Sequence, residues 1–173
     1  MRRVAVSLLL MLFGGKNAFT QVDERVKSIQ QFVSLVNHEK NYTIKNLEAE
    51  EFMDHTTDGG GELTGYFKNG ELIKIVEWIG LSSCITVFEY YIQNKSLVFV
   101  YGQEKIFSYS DSLQTFDPSV QTVGMECRFY FNKEKIFKKK LKGATRCSQP
   151  PIEITEKYLL DSYNDYLKKL SGK

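Results

Sequence analysis

Histidine is scarce, with 2 in 173 residues, and imidazole is the group on which metal sites and acid–base catalysis at neutral pH lean most. Three prolines and 12 glycines exclude collagen-like and low-complexity chains, and 3 cysteines are too few for a disulfide-knotted mini-protein. Charge of one sign is missing too. The 23 basic and 21 acidic residues leave a formal +2, no electrostatic footprint for nucleic acid. What is present, 42% hydrophobic, 25% charged and 13% aromatic residues, is the make-up of an ordinary globular domain.

The longest uncharged apolar stretch, Val4 to Phe13, follows Arg2 and Arg3 and precedes Gly14 and Gly15. A basic start, a short apolar core and small residues after it make a secretory signal peptide, and ten residues are half of what a helix needs to cross a bilayer. We therefore read 1–20 as a signal peptide and 21–173 as a single α+β domain. The leader takes Arg2, Arg3 and Lys16 and no acid, which leaves 20 basic against 21 acidic residues and no stable membrane anchor after cleavage. A periplasmic or secreted location follows. Three cysteines in an exported chain allow one internal disulfide. Cys127 with Cys147 is the expected pair, because Gly143 could fold the second back toward the first; Cys84 is left as a buried free thiol.

Three segments align without gaps: 66–73 (YFKNGELI), 91–98 (YIQNKSLV) and 130–137 (YFNKEKIF). Each is an apolar run, two polar residues and a second apolar run, the pattern of a β-hairpin, and Asn69-Gly70 suits the positive φ of a type I′ turn. The expectation is six strands in three consecutive hairpins, with a loop around Ser110 to Gln121. Helical stripes flank them, Val22 to Val36 before and Ile152 to Leu170 after. The predicted architecture is an N-terminal helix, a six-stranded antiparallel meander and a C-terminal helix.

Strict alternation from the turns puts Phe67, Leu72, Val76, Trp78, Phe88, Tyr90, Ile92, Leu97, Phe99, Tyr101, Cys127, Phe129 and Phe131 on one apolar face, to be covered by both helices. The other face would carry Tyr66, Ile75, Glu77, Glu89, Tyr91, Glu126, Arg128 and Tyr130 and stay open.

The strings Thr57-Asp58-Gly59-Gly60-Gly61-Glu62-Leu63, Tyr66-Phe67-Lys68, Glu89-Tyr90-Tyr91, Leu97-Val98-Phe99-Val100-Tyr101 and Arg128-Phe129-Tyr130-Phe131 resemble a group of small exported bacterial proteins of unknown function, seen mainly in Bacteroidetes. The resemblance covers about residues 55–140 and implies export and a meander-like sheet. It brings no activity, cofactor or functional residue.

The open face supplies the leading site: Tyr66, Tyr91 and Tyr130 at equivalent hairpin positions, with Glu89 and Arg128 between them. Tyrosine offers apolar area with a polar tip at small entropy cost, which suits a protein, peptide or glycan ligand. No cofactor and no catalytic residue is expected, and a non-enzymatic binding module is the first reading. The alternatives are a metal-dependent hydrolase around Asp54, His55 and Asp58, or a structural envelope component using an edge strand. The basic run Lys133, Lys135, Lys138, Lys139, Lys140, Lys142 and Arg146 reads as protection of that edge against pairing.

Overall fold

The computed structural model describes residues 16–147 and 153–172. The expected signal peptide falls mostly on residues 1–15, outside the described residues. Helix α1 (Lys16–His38) is followed by β1 (Thr43–Glu48), a single helical turn α2 (Ala49–Phe52) and β2 (Gly61–Lys68). Then come β3 (Glu71–Leu81), β4 (Cys84–Gln93), β5 (Ser96–Ser110), β6 (Thr115–Asn132), β7 (Lys135–Gly143) and α3 (Glu156–Ser171). The strands form one antiparallel sheet in the order β1-β2-β3-β4-β5-β6-β7.

An α+β meander between two helices is thus what the chain adopts, with seven strands rather than six. The added strand is β1, an edge strand in which only Leu47 is buried and Ile44 is 55% exposed, so it lacks the alternation that marks a strand. The expected loop from Ser110 to Gln121 is instead the far end of the β5–β6 hairpin, closed by a turn at 111–114. Its extra residues around Pro118 leave the register between Phe107 and Ser108, where a missing N–H is tolerated.

All three aligned repeats are type I′ hairpins. Asn69 and Gly70, Asn94 and Lys95, and Lys133 and Glu134 all have φ between 48° and 79°. Only one of the six residues is glycine, so the other turns carry the steric cost of a left-handed side chain. Glu134→Gly is expected to stabilise the protein by about 1 kcal/mol. The measurement is the urea midpoint at constant m-value, and an unchanged or lowered midpoint would contradict the turn assignment.

Directly after each turn the second strand carries one residue more than its partner. Tyr66 pairs with Lys74 but Phe67 with Leu72; Tyr91 with Phe99 but Ile92 with Leu97; Tyr130 with Lys138 but Phe131 with Ile136. Ile73, Val98 and Phe137 are the extra residues, each a β-bulge at the same repeat position. A bulge shifts everything beyond it by one, so the alternation expected from the turns inverts on the returning strands. Ile75 and Glu77 face the side of α3, while Phe99 and Tyr101 face α1, opposite to the expected assignment. The strands that lead into the turns follow it, with Phe88, Tyr90, Ile92, Cys127, Phe129 and Phe131 beneath α3.

The two helices therefore lie on opposite faces rather than together on one. Helix α3 is capped by Thr155, whose hydroxyl accepts from the Tyr158 amide at 3.1 Å, and buries Leu159, Tyr163, Tyr166 and Leu170. Lys45 of β1 donates to the carbonyls of Lys169 and Leu170, closing the other end. Helix α1 buries Val26, Ile29 and Val36 against Tyr91, Phe99 and Tyr130.

The disulfide also differs from expectation: it joins Cys84 to Cys147, with Cα atoms 5.9 Å apart, and Cys127 is the buried free thiol. Gly143, at φ 78°, turns the chain out of β7 and residues 144–147 run back across the sheet as a strap. Ala144 donates to the Gly124 carbonyl of β6, Thr145 and Arg146 donate to Glu104 of β5, and Cys147 arrives at the first residue of β4. Cys127 is passed over because it sits inside β6 opposite Leu141, with its sulfur filling the space above Gly102.

Candidate functional site

The sheet's α1 side is organised in cross-strand rows. Tyr66, Lys74, Tyr91, Phe99 and Tyr130 are successive partners from β2 to β6, and the next row is Val76, Glu89, Tyr101 and Arg128 from β3 to β6. The three tyrosines do share one row, as their equivalent hairpin positions implied. They are not open, however: Tyr91 is 1% and Tyr130 0% exposed under α1, and Tyr66 is half-buried. The physical reason is the amphipathic stripe of α1, which finds its apolar partner in this row once the bulges have turned Phe99 to the same side.

Where α1 leaves the second row uncovered there is a cleft of about 320 Å³. Ile29, Gln30, Val33 and Asn37 line it from the helix, and Glu89, Tyr91, Phe99, Tyr101, Arg128 and Tyr130 from the sheet. Four of the five residues singled out from the sequence meet here. Tyr66 stands outside, separated from Tyr91 by Lys74, whose ammonium lies 5.8 Å from the Tyr66 ring centre and 4.9 Å from that of Tyr91.

Polar groups in the cleft are held by one another. Lys74 bridges to Glu89 at 2.9 Å and donates to the Asn37 side-chain oxygen at 3.0 Å. The Tyr91 hydroxyl has Asn37 and Glu89 as acceptors, and its ionisation is pushed far up, first by burial and then by the Glu89 carboxylate. Gln30 donates to the Tyr130 hydroxyl at 3.3 Å. Arg128 pairs with Glu126 and lays its guanidinium 5.0 Å from the Tyr101 ring centre. A guanidinium has five N–H donors, so this pairing leaves donors for a ligand. Lys74, Asn37 and Tyr101 were not singled out from sequence. Lys74 carries no motif, and Asn37 enters only because α1 crosses this face.

The arrangement offers ring faces, carboxylate acceptors and a guanidinium fork around a space sized for one side chain or one sugar ring. The acidic segment is different. Asp54, His55 and Asp58 are all exposed, and Asp58 accepts from the Ser82 hydroxyl. Among the described residues no three His, Cys, Asp or Glu side chains converge to hold a metal ion. Gly59 serves a close approach of backbones: a β-carbon there would lie 2.4 Å from the Gly80 carbonyl carbon. Lys133 of the basic run sits in the turn before β7 and Arg146 in the strap; the other lysines lie on β7, an edge of the sheet, where Lys138 pairs with Asp23 and Lys135 with Glu156. Among the described residues no helix is long and apolar enough to cross a membrane. Comparison with family models, with curated proteins and with solved structures finds no match to this chain.

Proposed function

We propose that the chain is an exported, non-enzymatic binding module whose cleft between α1 and the sheet takes one polar group of a protein, peptide or glycan ligand. The observation that carries this reading is the convergence of Glu89, Tyr101 and Arg128 as one half-buried row beside the buried Tyr91 and Tyr130. A rigid aromatic floor with a few fixed polar groups is how small recognition sites gain selectivity at low entropy cost. Export to the periplasm or beyond is supported by the leader-like residues 1–20 and by a disulfide, a bond that persists in oxidising compartments.

The test uses arrays of glycans and of short peptides, probed with the wild type and with Arg128→Ala. Because the Arg128 side chain is 39% exposed, the substitution should leave the unfolding free energy within about 0.5 kcal/mol of wild type while the array signals fall at least about tenfold. Signals that persist in Arg128→Ala, or an array on which the wild type binds nothing, would count against the cleft as a binding site.

A further inference from the structure

On the other side of the sheet a second cavity, of about 420 Å³, lies among α3, the strap and strands β3 to β6. Its walls are mostly apolar, with Met53, Ile79, Phe88 and Met125 among them, yet two acidic side chains enter it. Glu77 comes from β3 and is 4% exposed; Glu104 comes from β5 and is 1% exposed. Buried carboxylates are costly unless they are paired or hydrogen-bonded. Both Glu104 oxygens are served by the strap, accepting from the Thr145 hydroxyl at 2.7 Å and the Arg146 amide at 2.6 Å. Glu77 is served on one side only. One of its oxygens accepts from the Tyr166 hydroxyl, and the other has no hydrogen-bond partner among the described residues. No lysine, arginine or histidine among the described residues lines the cavity.

We propose that this cavity binds a small hydrophobic amine, with its apolar body against Ile79, Phe88 and Met125 and its ammonium donating to the unpartnered oxygen of Glu77. The volume falls in the range of small-molecule sites. An anion would meet two acidic side chains and no cation, and a pure hydrocarbon would leave the Glu77 oxygen unpaired at a desolvation cost.

The groups facing Glu77 are Tyr158 and Tyr166 from α3, Tyr90 from β4 and, across the cavity, Glu104 from β5. None of them is a cation. Burial holds the Glu77 carboxyl up at about 7, against the hydrogen bond from Tyr166 that pulls it down. Below that pH the acid keeps its own proton and an ammonium must displace it; above it the carboxylate is ready. Amine affinity must therefore rise as pH rises through 7, since the amine itself stays charged throughout.

Calorimetric titration of the full chain with hexylamine, hexanol and hexanoate tests this. Hexylamine should bind at least about tenfold more tightly at about pH 8 than at about pH 5.5, hexanol should bind more weakly without pH dependence, and hexanoate should not bind. Glu77→Gln should remove the pH dependence and lower hexylamine affinity at about pH 8 by about tenfold. Thr86→Trp, which fills the cavity from β4 with Glu77 intact, should abolish binding and keeps the test open should Glu77→Gln fail to fold. No saturable hexylamine binding, equal binding of hexanol, an unchanged pH profile in Glu77→Gln, or full binding by Thr86→Trp would each overturn the proposal.

Discussion

Tyr130→Ala is expected to destabilise the domain by about 3–5 kcal/mol, in the range of large aromatic truncations in a core. The Tyr130 ring is wholly buried, 4.9 Å from the ring of Phe99 and 6.2 Å from that of Phe137, and its row is the floor on which α1 rests. Removing it opens a void that neighbouring strands cannot close, because the sheet's hydrogen bonds fix their spacing. The loss should be lopsided. Amide exchange in α1 should quicken more than in α3, whose contacts lie on the far side of β6. Tyr130→Phe separates packing from polarity, since it gives up only the 3.3 Å hydrogen bond from Gln30, worth about 1 kcal/mol. A Tyr130→Ala cost below about 1 kcal/mol, typical of an exposed site, would show that α1 does not cover this row in solution.

Cys147→Ser is expected to cost about 4 kcal/mol, from loop closure across a sequence separation of 63 in the chain-entropy account. The measurement is denaturant unfolding of the variant beside the wild type with and without reductant. Reduced wild type should fall to within about 1 kcal/mol of the variant, and a small difference between oxidised and reduced protein would mean that the strap holds without its covalent end. In the same samples Cys127 should resist a thiol reagent until the protein unfolds. Burial pushes its thiol up to about 12, and thiolate is the reactive form.

Local features were legible in the sequence and long-range ones were not. The I′ turns at 69–70, 94–95 and 133–134 follow from short polar pairs between apolar runs, and the stripes of α1 and α3 from their spacing of three and four. The pairing of Cys84 with Cys147 depends on the path of the strap over Gly124 and Glu104, which no residue in that segment announces. The cleft was half legible. Glu89, Tyr91, Arg128 and Tyr130 come together because they alternate along β4 and β6, which keep an unbroken alternation up to their turns. That α1 would roof the tyrosines depended on Phe99 and Tyr101 facing the same way, a consequence of an extra residue rather than of any residue type.

Those extra residues have an architectural effect larger than their size. Were Ile73, Val98 and Phe137 held in unbroken alternation with the facing strands, Phe99 and Tyr101 would point to the side of α3 and Val100 to that of α1. One inserted residue per hairpin exchanges the sides on the returning arm. Each hairpin then contributes apolar residues to both sides, in the second copy Leu97 and Val100 beneath α3 and Tyr91 and Phe99 beneath α1, and both sides of the sheet need a lid. The apolar row on which α1 rests therefore depends on a single position of the hairpin copy, three residues beyond the turn.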